Sequence, residues 1–409
     1  MMRGTLKTLA LAASVLAMAG LAHADSTVRF WYHFDNPDNP MDELIAKFEE
    51  ENPDITVEAE NVPWNSYYDN LYTAIVGGGA PDAAMVKLFA QPRLVEMGAL
   101  EPLDSWLAEW DGKDDLLDNI LDVNAGPDGN QYYLPVQYVV LYLYYRADML
   151  EEAGLEPPRT CEDFLTAAKT LTQDTNGDGN NDVYGFGFRG GPGGQDHWAS
   201  LVLSHEAVSL DGDGGLTNET AIEANQWVID LHREHGVFPP SAPNDGFQET
   251  IAAFQQGRTA MTIHHIGSSN AMVEALGDKV SAAPVPECGG GRWTAFGDES
   301  LAVFSSAEDK EAAWKWISFL SSSENNALFN EATGQLPVTK SDAENWQNHE
   351  QRFVDATMNS LPFAETLPAT GATSDFVDNV WPRAMQRALL SEITSEEMMR
   401  QFEELYTSE

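Results

Sequence analysis

The chain has 409 residues, of which 22 are Lys or Arg and 65 are Asp or Glu, so its formal net charge is -43. Such a negative surface repels phosphate backbones and anionic headgroups, which makes nucleic acids and membrane surfaces poor partners. Hydrophobic residues form 43% of the chain, which excludes a disordered acidic protein, and the length predicts a globular protein of two to three domains.

The first 24 residues have the features of a secretory signal. Arg3 and Lys7 precede an apolar run over residues 9–21, and Ala22-His23-Ala24 offers the small residues that signal peptidase requires. The apolar run is shorter than the ~20 residues of a membrane span. We therefore predict a signal peptide over residues 1–24 and export to the periplasm. No cysteine lies near the cleavage site, so we expect no lipid anchor.

The sequence contains two cysteines, Cys161 and Cys288. Two thiols are too few for a disulfide scaffold or a thiolate metal cluster. In an oxidising compartment the two could pair, but Cys161 opens a predicted helix and Cys288 lies in a glycine-rich loop. The sequence therefore leaves a single disulfide and two free thiols equally open.

Between residues 28 and 88, short β-branched runs alternate with helical stripes of apolar residues. The predicted order is a strand at 28–34, a helix after Pro40, a strand from Ile55, a helix around 68–75 and a strand at 83–88. This order is typical of parallel βαβ units with right-handed crossovers.

A long aromatic and β-branched stretch at residues 132–145 predicts a strand that leaves one lobe and enters a second. Helices are predicted at 161–171, with Thr160 and Asp163 as a capping box, at 220–235, at 247–256 and over most of the chain after Ala312. The predicted fold is α/β, with a ligand cleft between two lobes. Lobe 1 is expected over residues 25–136 with about 295–335, and lobe 2 over 137–294 with about 336–409.

An ordered set of segments resembles the extracellular solute-binding proteins of ABC importers, in their carbohydrate-binding class. The segments are 52–57, Gly79-Ala80-Pro81-Asp82, 131–150, 254–261, 282–286 and Gly334-Gln335-Leu336-Pro337. The resemblance implies the two-lobed periplasmic-binding-protein fold with a hinge and an interlobe cleft, a small carbohydrate ligand and ABC permease subunits as partners. We also expect a monomer. Arg146, Cys161 and His264-His265 depart from the family pattern, so no particular sugar is implied.

Candidate ligand contacts are aromatic rings that can pack on sugar C–H faces and polar groups that can pair with hydroxyls, placed where strands end. From the first lobe and the lobe boundary they are Trp31, His33, Asp35, Trp64, Lys87, Gln91, Gln137 and Tyr138. From the second lobe and its glycine-rich return they are Asp196, His197, Trp198, His264, His265, Trp293, Gly297, Asp298, Trp381 and Arg383. Core packing is the alternative for Trp31 and Trp381, and hydrogen bonding within the core is the alternative for Gln137.

One loop has the spacing of a calcium-binding loop, with oxygen-bearing side chains at alternate positions. These are Asp174, Asn176, Asp178, Asn180 and Asp182. Gly185 stands where an EF-hand would carry a bidentate Glu, so the motif is incomplete. Either a structural calcium ion or a polar turn would explain the spacing, and no other cofactor is required.

We expect the protein to capture a sugar or oligosaccharide between its lobes and to deliver it to a membrane permease, without enzymatic activity. A polyol or glycerol phosphate is the alternative ligand, although few basic residues exist to hold an anion. An exported glycan hydrolase, with Asp35 and Glu299 as acid and base, is the alternative of another class. Removal of the signal leaves 20 basic residues against 65 acidic ones, which favours a marine or halophilic source.

Overall fold

The computed structural model describes residues 26–34, 39–118, 120–210, 214–345 and 349–408. The predicted signal peptide lies outside the described residues, as does the candidate contact Asp35. Across the described part of the chain, every helix is too short or too polar to cross a membrane.

The strands form one twisted sheet that runs through both lobes. They are β1 (Ser26–Tyr32), β2 (Ile55–Asn61), β3 (Ala83–Val86), β4 (Leu134–Arg146), β5 (Met261–His265), β6 (Val280–Ala283), β7 (Thr294–Val303) and β8 (Ala364–Glu365). The order is β2-β1-β3-β7-β4-β5, with β6 paired to β4 and β8 to β7. The strands β1, β2 and β3 are parallel, as the sequence predicts, and β7 is antiparallel to both β3 and β4.

The α-helices connect these strands and pack on the sheet. They are α1 (Met41–Glu51), α2 (Tyr67–Gly77), α3 (Gln91–Glu96), α4 (Asp104–Glu109), α5 (Ile120–Val123), α6 (Ala147–Ala153), α7 (Cys161–Leu171), α8 (Gln195–Val202), α9 (Glu219–Arg233), α10 (Phe247–Gln255), α11 (Ser269–Leu276), α12 (Lys310–Leu320), α13 (Ser323–Thr333), α14 (Lys340–Asn345), α15 (Gln351–Ser360), α16 (Gly371–Asp375), α17 (Trp381–Leu389) and α18 (Ser395–Thr407). A π-helical turn, Phe376–Val380, joins α16 to α17.

The start of α7 shows how local sequence fixes an element. Thr160 Oγ1 accepts a hydrogen bond from the Asp163 backbone N–H at 3.1 Å, and the Asp163 carboxylate accepts one from the Thr160 N–H at 3.2 Å, which is the predicted capping box. Cys161, at the first position of α7, forms a disulfide with Cys288, their Cα atoms 5.2 Å apart. Of the two states that the sequence leaves open, the structure therefore has the disulfide.

Strand β4 crosses between the lobes, as predicted. Its first half pairs with β7, where Leu134 lies opposite Leu301, and its second half pairs with β5 and β6, so that Leu143 lies between Ile263 and Ala283. Strand β7 crosses as well, from its pairing with β3 to its pairing with β8. Two neighbouring crossing strands form a narrow ribbon, which is a suitable hinge.

Separate hydrophobic cores lie on the two sides of this ribbon. In the first lobe, Phe30 and Trp316 pack on one face of the sheet, and Tyr67 and Leu71 pack on the other. The largest core of the second lobe surrounds Trp198. The chain thus has the two-lobed α/β fold that the sequence predicts, while the limits assigned to each lobe stay a prediction.

Candidate ligand-binding cleft

A cavity of about 520 Å³ lies between the lobes, beside the crossing strands. Its volume falls in the range of small-molecule sites, roughly 300–1,000 Å³. Many of the predicted contact residues line it, namely His33, Trp64, Lys87, Gln91, Gln137, Asp196, His197, His264, His265, Trp293, Gly297 and Asp298. The fold thus brings these side chains together, and their role in binding a ligand stays a prediction.

Two predicted contacts on helices lie in the core instead of the cleft. Trp198 is fully buried, and its indole N–H donates to the Asn225 side-chain oxygen at 2.8 Å. Trp381 is fully buried in the same core. Both occupy the apolar face of an amphipathic helix, so packing explains their position.

Three further predicted contacts also lie outside the cavity lining. Tyr138 points to the opposite side of β4 from its neighbour Gln137, because strand side chains alternate. Trp31 packs against the core that holds Tyr67. Arg383 is exposed on α17. The three residues thus lie outside the cavity lining, and their contact with a ligand stays an untested prediction.

The first-lobe wall of the cleft is defined by Lys87, Glu299, His33 and Trp64. Glu299 forms an ion pair with the Lys87 ammonium and lies 3.1 Å from His33 Nε2. The register of β3 against β7 causes this contact, because Val86 pairs with Ser300. Lys87 Nζ also lies 5.3 Å from the Trp64 ring centroid, a cation–π contact.

These contacts set the charge of Glu299. Burial alone would raise its pKa, but the Lys87 ammonium and the His33 imidazole lower the pKa to about 2. A carboxylate with so low a pKa is a weak general base near neutral pH, and Lys87 and His33 already contact it, so Glu299 does not suit the role of base in the hydrolase alternative.

Asp298, the neighbour of Glu299 on β7, is also held by hydrogen bonds. Its carboxylate accepts from the Leu88 backbone N–H at 2.9 Å and from the Ser300 hydroxyl. Burial nevertheless raises the pKa of Asp298 to about 6, against the effect of those two bonds. Asp298 therefore acts within the protein as an acceptor that fixes the turn after β3.

The second-lobe wall is defined by Arg189, Asp196, Phe247 and His265. The Arg189 guanidinium carbon lies 5.8 Å from the Phe247 ring centroid. Its side chain makes no hydrogen bond or ion pair with any described residue, and its Nε is buried. The Asp196 carboxylate accepts one hydrogen bond, from the Gln195 side-chain amide at 3.3 Å. Burial raises the pKa of Asp196 to about 6 and lowers that of Arg189 to about 10.

Glycines shape the loop that holds Arg189. Gly193 has a φ of 78°, and a Cβ atom there would lie 2.2 Å from Arg189 Nη2. At Gly194 a Cβ atom would lie 1.7 Å from the Arg189 carbonyl oxygen. Only glycine therefore allows the loop to fold so closely around this arginine.

Two cleft histidines, His197 and His265, are neutral and accept a hydrogen bond on one ring nitrogen. His265 Nδ1 accepts from the Gly267 backbone N–H at 3.2 Å, and His197 Nδ1 accepts from the Arg189 N–H at 3.2 Å. Burial lowers the pKa of both rings to about 3. The Nε2–H of His265, on a residue that lines the cavity, is thus a neutral donor.

Several residues that line the cavity were not predicted as ligand contacts. They are Arg189, Phe89, Phe247, Phe296, Glu299 and Gln335. A usable signal existed for Arg189, because the glycine-rich segment that follows it leaves room for a large side chain. The aromatic residues gave no such signal, since Phe247 and Phe89 resemble ordinary core positions.

The predicted calcium loop closes on its own backbone. The Asp174 carboxylate accepts from the N–H groups of Gly177 and Gly179, at 2.7 and 2.8 Å, and that of Asp182 accepts from Thr175 and Asn176. Throughout the described ranges, no three or more His, Cys, Asp or Glu side chains are grouped to hold a metal ion. Calcium binding by this loop stays a prediction.

Comparison with known proteins places the chain in a family. Residues 35–327 match the family described as bacterial extracellular solute-binding protein. A putative binding protein of Brucella abortus is 27% identical over 378 residues, which are 90% of each chain. The mannitol-binding protein of Pseudomonas aeruginosa is 26% identical, over 67% of this chain and 62% of its own. The sn-glycerol-3-phosphate-binding periplasmic protein of Escherichia coli is 25% identical, over 80% and 77%.

Solved structures share the fold. An ABC transporter solute-binding protein of Thermotoga lettingae, bound with α-D-tagatose, has a TM-score of 0.82 at 24% identity and covers 94% of this chain and 99% of its own. Maltose-bound MalE3 of T. maritima has a TM-score of 0.80 at 20% identity, with 94% and 99% covered. The match over residues 35–327 shows that this chain belongs to the bacterial extracellular solute-binding proteins, and its two-lobed fold agrees with that family.

Proposed function

We propose that the protein binds a neutral sugar, oligosaccharide or polyol in the periplasm and delivers it to an ABC permease. The observation that carries this proposal is the cleft itself, where polar and aromatic side chains of both lobes face one cavity. Trp64 and Phe247 offer ring faces from opposite walls, and Arg189, Asp196 and His265 offer hydrogen-bonding groups.

The charges in the cleft favour a neutral ligand over glycerol phosphate. The Lys87 ammonium is already paired with Glu299. Three more carboxyl groups, those of Asp196, Asp298 and Glu365, line the same cavity. A phosphate would therefore meet more negative than positive groups, whereas hydroxyls can donate to carboxylates and accept from Arg189.

Lobe closure would supply the transport signal. The crossing strands β4 and β7 provide the hinge, and Ser374 of the second lobe donates a hydrogen bond to the Phe89 carbonyl of the first. A ligand that contacts both walls stabilises the closed form over the open one by its differential affinity. The family and its relatives are binding proteins, and we propose the same non-enzymatic role here.

Native mass spectrometry of the purified protein, followed by calorimetry, tests the ligand class. We expect saturable binding of at least one neutral compound among D-mannitol, D-tagatose, mannobiose and maltotriose, with a change in Trp fluorescence. If none of these binds, the carbohydrate proposal is wrong. Release of shortened products from oligosaccharides would instead indicate a hydrolase.

A free energy of unfolding that rises with salt concentration would support the marine or halophilic source.

A further inference from the structure

The guanidinium of Arg189 and the carboxylate of Asp196 line the second-lobe wall of the cleft, and neither forms an ion pair with a described residue. The Arg189 side chain has no hydrogen bond or ion pair among the residues that the structure describes, and its Nε is buried. Leaving a buried donor unpaired costs free energy, because the group has lost its water without gaining a partner. The loop around Gly193 nevertheless holds the guanidinium at the cavity wall.

We infer that Arg189 and Asp196 together bind two adjacent hydroxyl groups of the ligand and set the specificity of the cleft. This inference rests on the proposed function. Arg189 can only donate and Asp196, when ionised, can only accept. A hydroxyl can do both, so one hydroxyl of an adjacent pair accepts from Arg189 while the other donates to Asp196.

An anionic group fits the pair less well. It would match Arg189, but it would lie in a cavity lined by the carboxyl groups of Asp196, Asp298 and Glu365. Carboxylates that line a partly buried cavity repel an added negative group. The Arg189 guanidinium carbon lies over the Phe247 ring, 5.8 Å from its centroid, and both residues line the cavity, so apolar surface lies beside the charged pair.

The substitution Arg189→Met tests the inference, because it keeps an unbranched apolar side chain and removes the donors. Arg352→Met is the matched control. Arg352 also stacks on a phenylalanine ring, that of Phe353, at 5.0 Å, but it is paired with Glu350 at 2.7 Å and lies outside the cavity lining. Affinities for D-mannitol, D-tagatose, mannobiose and maltotriose would be measured by calorimetry, with D-glucuronate and sn-glycerol 3-phosphate as anionic probes.

We expect Arg189→Met to weaken the binding of the neutral ligand by about 10- to 100-fold, as for the loss of hydrogen bonds to a charged group. Without ligand, its melting temperature should equal or exceed that of the wild type, because an unpaired buried charge is gone. Arg352→Met should leave the affinity unchanged.

Other outcomes overturn the inference. Wild-type affinity in Arg189→Met, or a fall in its ligand-free melting temperature, would show that Arg189 has a structural role only. An anionic probe that binds more tightly than every neutral one, and that loses its affinity in Arg189→Met, would replace the hydroxyl pair with an anion site. A wild-type protein that binds neither class would contradict the proposed function itself, whatever the variant does.

Discussion

In the first-lobe wall of the cleft, Glu299 forms ion pairs with Lys87 and His33, whereas in the second-lobe wall the Arg189 side chain forms no hydrogen bond or ion pair with a described residue. The charges of the first wall are paired once the chain has folded, because the register of β3 and β7 brings Lys87 to Glu299. The second wall keeps unmet hydrogen-bonding capacity. The comparison suggests that substitutions in the first wall mainly reduce stability, and that those in the second mainly reduce affinity.

The substitution Glu299→Gln should give the largest effect, which is a loss of stability in the first wall. It leaves the Lys87 ammonium partly buried without its counter-charge, which costs about 3–5 kcal/mol of the free energy of unfolding. Urea denaturation measures this loss, and Glu60→Gln, at an exposed position of β2, is the control. A loss below 1 kcal/mol, with affinity reduced instead, would mean that the two walls do not differ in this way.

The pH dependence of stability should separate the two walls. Glu299 has a pKa of about 2 in the folded protein and ordinarily 4.5, so its stabilisation is complete above pH 4.5 and is lost as the pH falls toward 2. Asp196 has a pKa of about 6 against an ordinary 3.8, so its contribution is complete below pH 3.8 and is lost as the pH rises through 6.

Thermal melts of ligand-free protein between pH 2 and 8 would measure both effects. In a plot of melting temperature against pH, we expect Glu299→Gln to reduce only the fall below pH 4.5. We expect Asp196→Asn to reduce only the fall between pH 4 and 6. If the variants keep the pH dependence of the wild type, other carboxyl groups cause these changes in melting temperature.

Two glycine substitutions, Gly193→Ala and Gly129→Ala, should have smaller effects on stability and should differ in their effect on ligand affinity. Gly193 and Gly129 both have positive φ, 78° and 84°, so alanine at either position costs about 1 kcal/mol or more of backbone strain. A Cβ atom at Gly129 meets no atom within 4 Å, whereas one at Gly193 meets the Arg189 guanidinium. We expect similar losses of stability and a loss of ligand affinity in Gly193→Ala only. Equal affinities, measured by calorimetry, would contradict this.

The smallest effect is expected at the loop over residues 174–182, which lies outside the cavity lining. Its carboxylates already accept backbone N–H groups, so EDTA should leave the melting temperature unchanged relative to buffer with added calcium. A lower melting temperature in EDTA would instead support the structural calcium ion that the sequence spacing suggests.

Most of the fold could be predicted, because its signals are local. The capping box at Thr160 marks the start of α7, and the long run around Tyr142 is the crossing strand β4. The end of β3 was placed too late, at residue 88, because Leu88 is apolar although it begins a 3-10 turn after Val86. Apolar character therefore predicts burial better than it predicts where a strand ends.

The candidate site could be predicted in part. Lys87 and His265 could be predicted to lie at the cleft, because polar residues at or just after the end of a buried strand have few packing reasons to be there. The sequence could not show whether Trp198 packs in the core or contacts a ligand, because a tryptophan on an amphipathic helix has the same sequence pattern in both cases. The pairing of Lys87 with Glu299 depends on an antiparallel register between distant strands, and no local pattern encodes it.

The disulfide between Cys161 and Cys288 occupies every cysteine of the sequence. A cysteine introduced elsewhere would thus be the sole thiol available to a maleimide dye. Val123, at the end of α5, lines the cavity and is 43% exposed. A dye attached there would report lobe movement by a change in its emission. Because this disulfide leaves no free thiol, one introduced cysteine is enough to label the protein at a single site as an optical sensor, without removal of the native cysteines.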